Sequence, residues 1–343
     1  MTSLTDIGLQ LLANLRALRS SVCSGLLALA TLSGCESLPE EEELDERGWF
    51  MLPDCSNWRC GYNSSEINGK SLQELHLGGL PNEDGVQLVA FLPPAGLLLG
   101  WQLGVEGDAL VARGGLFGKS TLRGAQLVGS IMLLRLKAGL IVPVVIAGYD
   151  QVDSWASNGK PVSAYSLVYA DLAQPLLKRN VCKGTLLNQL DASVVVLANE
   201  RYDLDNKTVL SDQQGWITLA CAGSAAAKMA LLGYGPHAKF TDGSAPASVA
   251  ARQATLKMIT ADYCGDGSAY TANGTPIAWE NQDGTVIPDS WDTDELEAIW
   301  TAQGARCLDT PRFVDKSEVN CSLPSCAAFT LDDGEWATHP VAD

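Results

Sequence analysis

Histidine is scarce in this sequence. His76, His237 and His339 are the only three among 343 residues, too few to build a metal site on clustered imidazoles. Basic residues are also outnumbered, with 23 Lys and Arg against 40 Asp and Glu and a formal charge of -17. Nucleic-acid binding draws on phosphate neutralisation by cations, so this balance excludes nucleic acid as a partner. No two cysteines stand in C-x-x-C spacing, which removes the zinc-ribbon and dithiol redox patterns. No internal repeat is visible, and no cofactor is implied. Long uninterrupted apolar runs are missing beyond the N-terminal region. Val86 to Trp101 is broken by Pro93-Pro94, and Val128 to Tyr149 holds Arg135 and Lys137, charges that cost about 3 kcal/mol each at a bilayer centre. Both read as buried strands.

What is present begins with a leader. Arg16 and Arg19 against one acid, Asp6, precede an apolar and small-residue run from Val22 to Ser33, which ends in Leu32-Ser33-Gly34-Cys35. A charged n-region, a short h-region and a small-residue cleavage site make a secretory signal over 1–34. Leu-Ser-Gly-Cys resembles the lipobox of bacterial lipoprotein precursors. That resemblance implies cleavage before Cys35 and lipidation of its thiol, with the membrane as a partner through the lipid. Diacyl anchoring holds a protein on a bilayer without a spanning helix. Glu36 to Glu46 follows, almost entirely glutamate and aspartate apart from Ser37, Leu38, Pro39 and Leu44. Such a composition cannot bury enough apolar surface to order itself, so 35–48 reads as a solvated tether. Glu36 is not the aspartate associated with inner-membrane retention, so the expected address is the cell envelope, at the outer membrane. Removing 1–34 takes away a net charge of plus one and leaves the mature chain at -18.

Ten cysteines are present. Cys23 leaves with the signal and Cys35 takes the lipid. Cys55, Cys60, Cys182, Cys221, Cys264, Cys307, Cys321 and Cys326 remain, an even set that reads as disulfides in an oxidising compartment. Cys55 with Cys60, and Cys321 with Cys326, are close enough to close small loops.

From Ile67 to about Trp216, short apolar segments alternate with Gly, Asn, Asp and Pro, the pattern of antiparallel strands. The expected strands are 86–92, 97–105, 109–112, 126–137, 140–147, 163–170 and 194–198, with Gly107-Asp108 and Ala138-Gly139 as hairpin turns. Helical spacing begins after Cys221, through Ala222, Ala225, Ala226, Met229 and Leu232, and again over Ser248 to Tyr263. Packed antiparallel, two such helices would bring Cys221 near Cys264, a pairing that leaves Cys182 and Cys307. Tyr270 to Glu280 reads as a hairpin turning at Asn273-Gly274. Asp292 to Gln303 reads as a third helix, with acids in its first turn and Gly304 as its stop. The expected fold class is α+β: an antiparallel β-rich part, a sandwich or barrel, over 49–215, then a helical, disulfide-stabilised part over 216–330 and a tail over 331–343.

Ala261-Asp262-Tyr263-Cys264, inside the segment Leu256 to Ser268 and followed by Asn273-Gly-Thr-Pro-Ile277, resembles the ADYC-domain family of bacterial proteins. Further segments similar to that family are 61–64, 67–69, 105–108, 215–223, 227–229, 305–308 and 310–312, so the resemblance spans most of 55–326. It implies an exported, cysteine-bearing surface protein and carries over no catalytic residue.

Candidate chemistry is thin. Cys264 with His237 and Asp262 has the residue types of a nucleophile, base and orienter, but an exported cysteine at a helix end is more often half of a disulfide. Asp203-Leu-Asp205-Asn206 and Asn281-Gln-Asp283-Gly284 offer oxygen ligands for calcium without the EF-hand glycine and distal glutamate, and read better as turns. Acids among Glu280, Asp283, Asp289, Asp292 and Glu295 could serve a glycosidase, and nine tryptophans could stack on sugars, although core packing is their commoner role. The expected function is a binding or structural role at the envelope, with cell-wall polysaccharide or an envelope protein as partner. An envelope hydrolase of peptidoglycan or polysaccharide is the alternative, and a calcium-dependent adhesin the second.

Overall fold

Val194 to Ala198 is apolar at every position, so a strand there must be covered on both faces. In the computed structural model Val194, Val196 and Ala198 join one core and Val195 and Leu197 another, all five buried. The structure describes residues 64–94, 100–115, 120–174, 176–182, 193–203, 205–272, 274–287 and 295–341. The expected signal peptide and tether, with Cys35, Cys55 and Cys60, lie outside the described residues.

The chain runs through β1 (Glu66–Ile67), β2 (Lys70–Ser71), β3 (Glu74–His76), β4 (Gln87–Leu92), β5 (Gln102–Val105), β6 (Leu110–Gly114), β7 (Ser120–Arg123), β8 (Ile131–Arg135), β9 (Ile141–Val152) and β10 (Val162–Ala170). Then come β11 (Lys178–Asn180), β12 (Val194–Ala198), β13 (Arg201–Asp203), β14 (Thr208–Leu210) and β15 (Trp216–Cys221). Two helices follow, α1 (Ala225–Leu231) and α2 (Val249–Thr260), and the chain closes with β16 (Ala278–Asn281), β17 (Ala298–Thr301), β18 (Gly304–Leu308) and β19 (Trp336–His339).

The main sheet is antiparallel, in the order β3-β15-β12-β10-β9-β8-β4, with β11 added beside β10. Its edge strands β3 and β4 are consecutive in the chain and touch. Asn82 ties their connection: its amide donates to the Ser71 and Glu74 carbonyls at 2.9 and 3.0 Å, and its Oδ1 accepts the Val86 N–H at 2.9 Å. Leu103, Leu110 and Ala112 of the separate β5-β6-β7 meander join one face of the main sheet in the first core. On the other face α1 packs against β12 and β15, and α2 packs against α1 and β17. The second core lies around these helices, closed by Trp300 and Trp336 of the four-stranded sheet β16-β19-β17-β18. Ser224 and Ser248 cap the two helices by accepting the N–H groups of Ala227 and Ala251, which satisfies donors that the first turn leaves orphaned. No helix of the described residues is long and apolar enough to cross a membrane.

The expectation of a helical C-terminal part is corrected. The two helices over 225–231 and 249–260 form, but the segment after them is a β-sheet, so β-structure dominates both halves. Of the expected helix at 292–303, residues 292–294 lie outside the described set and Ala298–Thr301 is strand β17. Ala298, Ile299 and Trp300 are all fully buried, between α2 on one side and the Cys307, Cys326 and Ala337 cluster on the other, a setting that suits a strand with two covered faces. Gly304 is needed for a close approach: at φ +118° a Cβ would lie 2.7 Å from the Tyr263 carbonyl oxygen. The expected 270–280 hairpin does not form, because β16 pairs with β19, 55 to 61 residues further on. Thr275 N–H does bond the Ala272 carbonyl at 3.2 Å in a local turn, but Pro276 lacks a donor, and the Tyr270 ring is drawn inward onto Tyr263. The expected boundary at 215/216 falls at the start of β15, an inner strand, and the expected tail contains β19, an inner strand of the smaller sheet.

Candidate functional site

Helix α2 carries two cations on buried positions, Arg252 and Lys257, and a buried charge must be paired. Arg252 meets Glu200, with Nη2 2.6 Å and Nε 2.9 Å from Oε2. Lys257 meets Asp262, five residues on. The geometry follows from the helix end: Ala261 adopts the left-handed conformation, φ 50° and ψ 42°, and its N–H bonds back to the carbonyls of Lys257 and Met258. That turn returns Asp262 beneath the Lys257 ammonium. The ammonium also donates to the carbonyls of Asn206 at 2.8 Å and Gly265 at 3.3 Å, while Gly267 N–H donates to Asp262 Oδ2 at 3.0 Å.

The next residue, Tyr263, is buried between Trp300 and Tyr270, its ring centroid 5.2 and 5.6 Å from theirs. Its hydroxyl donates to Glu297 and accepts the Arg312 N–H at 3.1 Å. Arg312 grips both oxygens of Glu297, at 2.8 and 2.9 Å. Burial, then the Glu297 charge, hold the Tyr263 hydroxyl well above the usual phenol range. Cys264 is bonded to Cys321. The four consecutive residues 261–264 thus supply a left-handed turn, a buried ion pair, an aromatic anchor and a covalent staple.

A second network centres on Glu200, which also accepts the Tyr202 hydroxyl at 2.7 Å. Nearby, in the β5–β6 turn, Asp108 accepts the N–H of Ala198 at 3.0 Å and of His237 at 2.9 Å. It latches that turn to the end of β12 and to the segment after α1. Burial pushes its carboxyl up to about 6 against the pull of those two bonds, with Glu200 adding to the rise.

A third, more open cluster lies where the 153–159 loop meets the turn after β16, joined by Ser157 N–H to the Thr285 carbonyl at 2.7 Å. Trp155 and Trp279 stack there, 6.2 Å apart and 23° between planes. The Tyr234 hydroxyl donates to Glu335 at 2.6 Å and accepts from Asn281 at 3.1 Å. Burial, reinforced by Asp283, raises the Glu335 carboxyl above its usual range, with the Tyr234 bond opposing.

The structure separates most residues that the sequence singled out. Cys264, His237 and Asp262 do not assemble, since Cys264 is a disulfide half, Asp262 serves Lys257, and His237 contributes its backbone N–H to Asp108. The expected Cys221–Cys264 pair is replaced by Cys182–Cys221 and Cys264–Cys321, and Cys326 closes onto Cys307 instead of Cys321. β15 places Cys221 at the end of the main sheet next to Cys182, whereas Cys264 lies across α2 at the second core. Asp203 closes its own turn by accepting the N–H groups of Asp205 and Asn206 and the Asn206 amide, and Asn281 ties its turn by accepting Val286 N–H at 2.9 Å. Of the acids, Asp289 and Asp292 lie outside the described residues, and Glu280 faces His339 at 3.4 Å. Among the described residues no group of three or more His, Cys, Asp or Glu is placed to hold a metal ion. Sequence reading missed Lys257, Glu297, Arg312, Glu200, Arg252, Asp108 and Glu335. Only Lys257 carried a local signal, a cation on the last turn of a helix five residues before an acid.

A family model, the ADYC domain, matches residues 124–314, more than half of the chain. Neither the curated proteins nor the solved structures contain a match.

Proposed function

The chain belongs to the ADYC-domain family, and from that premise we propose that it is an exported lipoprotein with a non-catalytic, binding or structural role at the cell envelope. In this reading a lipid on Cys35 anchors it at the outer membrane and the acidic 35–48 segment spaces the folded body from the bilayer. The observation that carries the reading is the use of the tetrapeptide: Asp262, Tyr263 and Cys264 are engaged by Lys257, Glu297 and Cys321 inside the fold, so in this chain it serves stability. Three disulfides suit an oxidising compartment, and the Leu32-Ser33-Gly34-Cys35 run supplies the lipid site. The test is fatty-acid labelling in a producing cell. Wild-type protein takes up label and the Cys35→Ser variant takes up none; labelling of that variant sinks the anchor, and recovery of the wild type unlabelled in the growth medium sinks the address.

A second reading, hydrolysis of peptidoglycan or polysaccharide, draws on Glu335, a half-buried carboxyl that accepts the Tyr234 hydroxyl at 2.6 Å near the stacked Trp155 and Trp279. Turnover of isolated cell-wall glycan that Glu335→Gln abolishes would establish it in place of the first.

A further inference from the structure

Leu172, Leu176 and Leu177 stand together on the β10–β11 connection, 42 %, 94 % and 42 % exposed. Single apolar side chains in water are ordinary, but a cluster at one tip marks a contact surface. The described residues of the connection are tied to one another. Asp171 Oδ1 accepts the N–H groups of Ala173 and Gln174 at 2.7 and 3.2 Å, Leu177 N–H bonds the Gln174 carbonyl at 2.8 Å, and the Arg179 guanidinium pairs with the other Asp171 oxygen. The Ala173 N–H, the Arg179 guanidinium and the Gln174 N–H hold the Asp171 carboxyl below the usual range, and the three leucines stay exposed beside it. The tip is braced from the side, where Asn68 Oδ1 accepts Leu172 N–H at 3.1 Å and the Tyr169 hydroxyl accepts Asn68 N–H at 3.3 Å.

Cations border the leucines. Lys178 and Arg179 follow directly and are exposed, and Lys70, two residues beyond Asn68, is exposed as well and lies 4.0 Å from Asp84. In a chain of net charge -17 this pairing of apolar tip and basic rim is distinctive. The overall acidity opposes general adsorption to an anionic surface, so any such contact has to be local.

We propose that the β10–β11 tip is a bilayer-contact element: Leu172, Leu176 and Leu177 enter the boundary between headgroups and acyl chains of an anionic membrane, and Lys178 and Lys70 meet the phosphates. This is the arrangement by which amphipathic elements lie in an interface, apolar area and electrostatic attraction acting together. Attachment at Cys35 is not required for it.

The test uses the mature chain from residue 36 onward, made without leader or lipid, in co-sedimentation with vesicles. Binding to phosphatidylglycerol-containing vesicles is expected, weakened at least tenfold in Leu172→Ser/Leu176→Ser/Leu177→Ser, and weakened by Lys178→Glu or by 500 mM salt, about 4 Å of Debye length against about 10 Å at 100 mM. The side chains being exposed, circular dichroism of the triple variant should match wild type. Equal binding of wild type and triple variant, or no wild-type binding, overturns the proposal. Self-association without vesicles that the triple variant abolishes assigns the leucines to a second copy of the chain and overturns it too. Because the chain tested carries no lipid, these outcomes are independent of the Cys35 labelling experiment.

Discussion

Lys257 and Asp262 neutralise one another in almost complete burial, their side chains 4 % and 0 % exposed, across a helix end that only a left-handed Ala261 makes possible. The fold has committed a charge pair to its interior and surrounded it with carbonyls and an N–H. Breaking such a pair from one side leaves an uncompensated buried charge, which costs about 3–5 kcal/mol. Lys257→Met should lose that much in urea unfolding with the disulfides intact. Lys257→Met/Asp262→Asn should lose less than the sum of the two single variants, since no lone charge is left behind.

Tyr263 makes a prediction that separates ring from hydroxyl. Tyr263→Phe keeps the stack on Trp300 but leaves Glu297 and the Arg312 N–H each one partner short, a loss of about 1–3 kcal/mol. Tyr263→Ala removes the ring as well and should fall beyond that, by about 3–5 kcal/mol in all for an emptied aromatic site. Equal losses in the two variants would mean that packing contributes nothing here.

The disulfide pattern is checked by mapping. A non-reduced digest should yield Cys182 with Cys221, Cys264 with Cys321 and Cys307 with Cys326. Cys221→Ser should free the thiol of Cys182 and leave Cys264 oxidised. Cys264→Ser/Cys321→Ser opens a link spanning 57 residues, and by the loop-entropy relation should cost about 4 kcal/mol.

Asp108 sets a pH dependence. Its folded pKa, about 6, lies above the 3.8 of an ordinary aspartate, so the folded state holds the proton more tightly than the unfolded chain. The contribution to stability is then full below pH 4 and disappears as pH rises through 6. Asp108→Asn cannot ionise; it should lose one of the two N–H bonds at every pH but show a flatter stability profile between pH 4 and 7 than wild type. A parallel profile in the two proteins would remove Asp108 as the source. At the acid end, Asp242 has its pKa lowered to about 2, chiefly by the Ser244 hydroxyl, and its contribution runs the other way, present above pH 4 and lost as pH falls through 2.

Much of the local structure was legible without coordinates. The apolar segments 140–147 and 163–170, the fully apolar 194–198, the turns at Gly107 and Gly139 and the helical spacing after Cys221 and after Ser248 all depend on neighbours within a few residues, the range over which periods of 2 and 3.6 are written. The segment at 298–301 was misread for the same reason: acids before Ala-Ile-Trp-Thr suit a helix start, and only burial of both faces between α2 and the Cys307–Cys326 region makes it a strand.

The sequence by itself determined an acidic, cysteine-bearing chain with strands before Trp216 and two of its helices ahead of a family tetrapeptide. The tertiary structure alone decided the partners. That β16 takes β19, that Cys264 takes Cys321, that Tyr263 meets Glu297 34 residues away and Asp108 meets the N–H of His237 129 residues away are choices among alternatives with the same local pattern. Eight cysteines admit 105 pairings, and which one forms depends on burying both sheets against the helices at once.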